Sequence, residues 1–243
     1  MPTTIGGWCH IDSGYAVEVM GTAGFDWCCV DTQHGLTRAG GLVGALHALE
    51  ASGCPGYVRV GANAHAEIAH ALDAGARGVI VPQVSSADAA LAAVAACRYP
   101  PAGQRSWGPV RAKLRPTRPE PGGLDHEAGC FVMIEDRLGL DAVDAIASVP
   151  GLTGIFVGPA DLALSLDGDP YRAGADSTME AAARIAKACA ANGIVAAAFA
   201  GGASQVGRWQ QAGFTMLAVD ADSTMLQLAA RSAASVARAV LAS

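Results

Sequence analysis

Although 51% of the 243 residues are hydrophobic, no stretch approaches the ~20 uninterrupted apolar residues a helical bilayer span needs. The opening Met1-Pro2-Thr3-Thr4 lacks the charged n-region of a secretory leader. These two absences predict a soluble, cytoplasmic protein with no membrane partner. A basic run is missing as well, and the formal net charge is -6. Without that electrostatic footprint nucleic acid is not an expected partner, and small molecules are. The seven cysteines contain no C-x-x-C pair. Cys9, Cys28, Cys29 and Cys130 lie in or beside apolar runs, which predicts core thiols. Finally, no Gly-x-Gly-x-x-Gly fingerprint follows the first predicted strand, so a dinucleotide-binding fold has no support.

What is present is an alternation of short apolar runs with longer Ala-rich ones. Strands are expected at Ile5 to Cys9, Phe25 to Asp31, Tyr57 to Val60, Val79 to Val81, Ile194 to Phe199 and Met216 to Val219. Two more runs begin at Phe131 and Gly154 and end on acids, the first at Glu135-Asp136 and the second at Asp161. Runs of this kind, without polar alternation, are buried on both faces, as in a parallel sheet covered by helices. Helical patterns fall between them: Tyr15 to Met20, Gly41 to Ala51, Glu67 to Ala74, Ala87 to Cys97, Asp141 to Ser148, Met179 to Ala191, Ser204 to Gln211 and Ser223 to Leu241. The stretch from Tyr99 to Glu127, rich in Pro, Gly and Arg, fits neither template and reads as a long functional loop. Eight βα units in a chain of this length predict one α/β domain over residues 1–243, a (β/α)8 TIM barrel.

In such a barrel the chemistry belongs at the C-terminal strand ends. Glu135 and Asp161, at two of those ends, can converge on one hard cation. Carboxylates without His or Cys favour Mg²⁺ or Mn²⁺, with Co²⁺ also possible, over structural zinc. Arg59, a guanidinium inside the apolar Tyr57-Val58-Arg59-Val60, needs a carboxylate or an anionic ligand. Asp31 and His34 in Asp31-Thr32-Gln33-His34-Gly35 are expected to share a hydrogen bond, the carboxylate fixing the imidazole tautomer and raising its basicity. A cation, a fixed positive charge and a base in one bowl are equipped to remove a proton α to a carbonyl.

Several segments resemble the HpcH/HpaI family of class II, metal-dependent pyruvate aldolases. They are Gly24-Phe25-Asp26-Trp27 running into Asp31-Thr32-Gln33-His34-Gly35, Val58-Arg59-Val60, Arg98-Tyr99-Pro100-Pro101-Ala102-Gly103-Gln104-Arg105, Ile134-Glu135, and Phe156-Val157-Gly158-Pro159-Ala160-Asp161-Leu162. The resemblance covers nearly the whole chain and implies a phosphoenolpyruvate/pyruvate-type barrel. The implied reaction is reversible aldol cleavage of a 4-hydroxy-2-oxo acid to pyruvate, or a related 2-oxo acid such as hydroxypyruvate, and an aldehyde. It also implies the roles: Glu135 and Asp161 as metal ligands, His34 as acid/base for the aldol hydroxyl, and Arg59 as stabiliser of the enolate oxygen. The backbone N–H groups of Ala160 and Asp161 would receive the substrate carboxylate, Trp8 would line the pocket, and Gln33 would contact substrate. Asp73 matches an acid that reaches a neighbouring subunit to support the His.

Two residues depart from the family pattern: Gln33 stands where many members have Glu, and Met133 where they have a substrate-binding Gln. His10, His47, His65, His70 and His126 match nothing in it and read as surface or structural residues. Lys113 and Lys187 lie on no predicted strand, which argues against a Schiff-base aldolase. A CoA-thioester lyase of the same superfamily, or a non-catalytic barrel, is the alternative reading. The last helix is apolar or small on nearly every side, as expected of a helix buried between partners. The resemblance supplies the assembly, a C-terminal helix swapped between subunits of a dimer and a homo-hexamer built as a trimer of dimers.

Overall fold

The computed structural model describes residues 2–114 and 119–242. Eight strands form: β1 (Thr4–Cys9), β2 (Trp27–Asp31), β3 (Gly56–Arg59), β4 (Gly78–Val81), β5 (Gly129–Ile134), β6 (Gly154–Val157), β7 (Val195–Phe199) and β8 (Met216–Ala221). They pair in parallel in chain order, and β8 pairs back to β1, so the sheet closes into a barrel as expected. Every residue of β2, β4 and β6 is buried, because one face packs inside the barrel and the other against helices.

Period-two alternation divides these side chains between two cores. Trp8, Trp27, Cys29, Ile80, Phe131, Met133, Phe156 and Ala197 fill the barrel interior. Cys28, Val30, Val58, Val79, Val132, Ile155 and Leu217 face the helical layer. Inside, aromatic rings meet edge to face, with centroids 5.8 Å apart for Trp27 and Tyr57 and 5.9 Å for Tyr57 and Phe131. Gly6 makes that packing possible, since a Cβ there would lie 2.3 Å from the Trp27 ring. The barrel is therefore solid below, and room for a ligand exists at its mouth. All seven cysteines are buried and free, the four expected in the core (Cys9, Cys28, Cys29 and Cys130) among them.

The elements differ from expectation in three places. The run expected to end as a strand on Asp161, with a loop beyond it to Asp176, stops as a strand at Val157 and continues as helix Pro159–Asp167, which holds Asp161. Asp141 to Ser148 is not one helix: Arg137–Asp141 and Val143–Ala147 follow one another, the first capped by Asp136, whose Oδ1 accepts the Gly139 N–H at 2.6 Å. The expected loop from Tyr99 to Glu127 contains a 3-10 turn, Ala112–Leu114, and a helix, Pro121–Glu127, while residues 115–118 of it lie outside the described set. Pro121-Gly122-Gly123 reads as a breaker, but Pro is tolerated in the first helical turn, where its missing N–H costs nothing. Asp125 of this helix accepts the Tyr99 N–H at 3.0 Å and ties the segment down. At the end of the chain, helix Asp222–Ala242 touches the barrel at its start, and from Leu226 onward its described residues are exposed. Among the described residues no helix is long and apolar enough to cross a membrane.

Candidate active site

Strand register brings the first two functional residues together. Asp31 and Arg59 are direct partners at the C-terminal ends of β2 and β3. The guanidinium closes on the carboxylate with Nε 2.9 Å from Oδ1 and Nη2 2.5 Å from Oδ2, the planar two-point match that only arginine offers. Asp31 is fully buried and Arg59 is 9% exposed. Three further groups donate to the same carboxylate: the Trp8 indole at 3.2 Å and the Gln33 and His34 backbone N–H groups at 3.0 and 3.3 Å. His10 Nε2 stands 3.1 Å from Oδ2. Burial pushes the Asp31 carboxyl up, but the hydrogen bonds from His10 and Arg59, the Arg59 charge and Trp8 outweigh it. The group is held well below the usual carboxylate range.

This geometry corrects the expected Asp31–His34 pair. Both Asp31 oxygens are occupied, and His34 reaches it through its backbone N–H alone. The His34 ring is exposed at the mouth and has no hydrogen-bond partner among the described residues. Asp31 is thus the holder of Arg59, and Arg59 has found the carboxylate its apolar surroundings required. Sequence reasoning also set His10 aside, yet the structure places it against Asp31, with Nδ1 3.2 Å from the Ser223 hydroxyl. A signal was available in its position: it directly follows the last residue of β1, where a barrel strand meets its mouth.

The carboxylates form the other half of the site. Glu135 follows β5, and Asp161 lies in the first turn of helix Pro159–Asp167, which follows β6. Glu135 is 7% exposed, and its Oε1 accepts the Gln83 N–H at 2.8 Å. Gln83 has φ 56°, a left-handed conformation uncommon outside glycine and asparagine and characteristic of functional sites. Gly158 leaves the space that Glu135 uses, since a Cβ there would stand 2.6 Å from Oε2 and 3.1 Å from Met133 Sδ. Burial, with the Asp161 charge adding to it, pushes the Glu135 carboxyl up to about 7, against the Gln83 N–H and Arg59.

The donor set fits a hard divalent cation. Two carboxylate groups on adjacent strand ends leave most of an octahedral shell to water or substrate oxygens. No group of three or more His, Cys, Asp or Glu able to hold a metal occurs among the described residues.

The remaining expected residues are distributed unevenly. Trp8 is 2% exposed, with its ring centroid 5.4 Å from that of Phe156 and the Arg59 guanidinium 5.2 Å above it. It forms the floor of the bowl. Ala160 and Asp161 sit at the second and third positions of their helix, where backbone N–H groups have no intrahelical acceptor. Gln33 donates its backbone N–H to Asp31, while its Oε1 is buried without a partner among the described residues. Asp73 lies apart from these residues in its own chain, accepting from Arg105 Nη2 at 2.7 Å. A cavity of about 430 Å³ opens beside Ala160, lined by Met179, Phe199 and Trp209 among others. Another of about 400 Å³, lined by Arg77, Arg105 and Arg111, lies near the N-terminal ends of β4 and β5, away from the acids.

Known proteins resemble this chain over most of its length. A hydroxypyruvate/pyruvate aldolase of Chromohalobacter salexigens is 35% identical over 94% of this chain and 91% of its own. A 4-hydroxy-2-oxovalerate aldolase of Rhodococcus jostii is 37% identical over 79% of this chain and 77% of its own. The crystal structure of a HpcH/HpaI aldolase/citrate lyase family protein from Burkholderia cenocepacia superposes with a TM-score of 0.87 at 30% identity, covering 98% of this chain and 95% of that one. The family model for HpcH/HpaI aldolase/citrate lyase matches residues 4–229. By match length, identity and barrel geometry together, the chain belongs to the HpcH/HpaI aldolase/citrate lyase family of carbon–carbon lyases.

Proposed function

We propose that the protein catalyses reversible, metal-dependent aldol cleavage of a 4-hydroxy-2-oxo acid to pyruvate, or a close 2-oxo acid such as hydroxypyruvate, and an aldehyde. The observation that carries this is the Glu135 and Asp161 carboxylate pair beside a buried, fixed Arg59 at one barrel mouth. Relatives named hydroxypyruvate/pyruvate aldolase and 4-hydroxy-2-oxovalerate aldolase support the substrate class. Glu135 and Asp161 would hold Mg²⁺, Mn²⁺ or Co²⁺, which when bound supplies the Lewis acidity that polarises a 2-oxo group.

The chain's own residues do the rest. Ala160 and Asp161 N–H groups receive the substrate carboxylate at a helix start, where the dipole favours an anion. Asp31 fixes the Nε–Nη2 edge of the Arg59 guanidinium, so its remaining N–H groups meet the oxygen that gains charge as the enolate forms. His34, its ring unengaged, takes the proton from the C4 hydroxyl as the C3–C4 bond breaks. The electron pair of that bond passes into the enolate, the aldehyde departs, and a proton delivered to C3 then completes pyruvate. The apolar cavity beside Ala160 offers room for the aldehyde's substituent. Gln33, with its orphaned Oε1, stands ready to accept from a substrate hydroxyl.

Assembly belongs to the same proposal. Leu226, Leu228 and Val236 on the last helix are 62%, 57% and 61% exposed, and a second copy would cover them in a helix-swapped dimer, three of which make a hexamer. Asp73 would then stand near the partner's His34. The deciding experiment is exchange of pyruvate methyl protons with deuterated solvent by the Mg²⁺- or Mn²⁺-loaded protein. Exchange that is lost in chelator and restored by metal supports the reading. Exchange that persists in chelator, with a borohydride-trappable lysine adduct, would overturn it.

A further inference from the structure

Asp31 fixes Arg59, but something must fix Asp31. Its Oδ2 has three neighbours: Arg59 Nη2, the Trp8 indole N–H and His10 Nε2. The Asp31 carboxylate is buried and accepts only, so the His10 nitrogen facing it must carry the proton and donate. The other ring nitrogen, Nδ1, lies 3.2 Å from Ser223 Oγ, so in the neutral ring it accepts from that hydroxyl. The backbone is clamped at the same place. Asp222 accepts the His10 N–H at 2.8 Å on Oδ1 and the Ile11 N–H at 3.2 Å on Oδ2. Its Oδ1 also takes the Ser223 N–H at 2.7 Å. A continuous chain therefore runs Ser223, His10, Asp31, Arg59, from the first turn of the projecting C-terminal helix to the cationic group of the site.

We propose that His10 is a positioning residue that orients Arg59 through Asp31, and that Ser223 sets the His10 tautomer, coupling the start of the last helix to the site. The proposal rests on the reading of Arg59 as the group that meets the developing oxyanion. His10 itself touches no substrate in this scheme. It narrows the orientations open to the Asp31 carboxylate, and the Arg59 fork follows. The expected signature is a change in turnover with little change in 2-oxo acid binding, because an oxyanion interaction strengthens in the transition state.

The test uses three variants of the full-length, metal-loaded protein: His10→Ala, His10→Gln and Ser223→Ala. Each is read by pyruvate methyl exchange and by the ¹⁵N–¹H resonance of Arg59 Nε, which reports the Asp31 contact without any turnover. Loss of one hydrogen bond to an ion predicts that His10→Ala lowers kcat about ten- to a hundredfold, with KM for pyruvate within about threefold, and shifts the Arg59 resonance. His10→Gln can place an amide N–H where Nε2 stands and should recover most of the rate and the resonance. Ser223→Ala should give a smaller fall in kcat of the same kind, about threefold. A His10→Ala protein with wild-type kcat and an unmoved Arg59 resonance would overturn the proposal. So would a folded His10→Gln protein no better than His10→Ala. An unchanged Ser223→Ala protein would remove the link to the helix. Wild-type protein that exchanges no pyruvate protons would defeat the aldolase reading, while the Arg59 resonance still decides whether His10 positions it.

Discussion

Asp31 and Arg59 face each other across the β2–β3 pair, and both carboxylate oxygens are taken by the same guanidinium. Breaking a buried pair by removing one partner leaves an uncompensated charge and costs about 3–5 kcal/mol. Asp31→Asn keeps the volume and loses the charge. It is expected to lower stability by an amount approaching that range and also to release Arg59 from its alignment. Denaturant unfolding checks the first, and a fall in proton exchange checks the second.

Arg59→Ala should reduce turnover about a hundredfold or more, the usual effect of removing a preorganised donor to a developing oxyanion. Arg59→Lys should recover little, since a single ammonium cannot engage Asp31 at two points and still face the substrate. A lysine variant with near wild-type kcat would show that Arg59 serves the fold alone.

Glu135 sets a pH window. Its folded carboxyl titrates at about 7 against an ordinary value of 4.5, so between those limits the metal-free folded state binds more protons than the unfolded chain. Metal-free stability is therefore greatest below about 4.5 as far as this group is concerned, and it falls as pH rises through 7, by no more than about 3 kcal/mol. Glu135→Gln in chelator should flatten that fall and be the more stable protein at pH 8. Metal must displace the same proton, so Mg²⁺ or Mn²⁺ affinity should drop as pH falls below about 7, with proton release measurable by calorimetry in two buffers.

Gly158→Ala tests the shape of the carboxylate site. The added Cβ would stand 2.6 Å from Glu135 Oε2, and either the carboxylate or the β6 end must move. Metal affinity should fall at least about tenfold, as when the support of a metal ligand is disturbed, with the barrel intact by circular dichroism. An alanine variant of native affinity would mean that Oε2 takes no part.

Leu228→Asp and Val236→Asp introduce charge on the exposed apolar residues of the last helix. Each is expected to shift sedimentation toward smaller species and to lower activity in parallel. A wild-type protein that sediments as an active monomer would end the assembly proposal.

The barrel was legible because its strands are buried on both faces, and such runs as Gly78–Val81 and Gly154–Val157 have no competing reading once helical patterns flank them. Arg59 was legible for a related reason, since an ion in an apolar strand must have a partner. The partner of Asp31 was not legible from local spacing. Asp31 and His34 are close in sequence, but the β2–β3 register gives the carboxylate to Arg59, 28 residues away. His10 escaped notice because its contact with Ser223 spans 213 residues, a separation no motif records. The helix Pro121–Glu127 was hidden by its own first turn, where Pro and Gly mean something different from what they mean mid-helix.

The last helix carries one further consequence. The helix is 21 residues long, and its described residues from Leu226 onward are exposed in the single chain, whereas most helical stability in proteins comes from tertiary packing of an apolar face. Under the proposed assembly its order depends on mass action, because the copy that covers its apolar side also contributes to its folding free energy. On dilution the C-terminal segment should fray before the barrel melts. Amide exchange along residues 226–242 would accelerate with falling protein concentration while exchange in the strands does not.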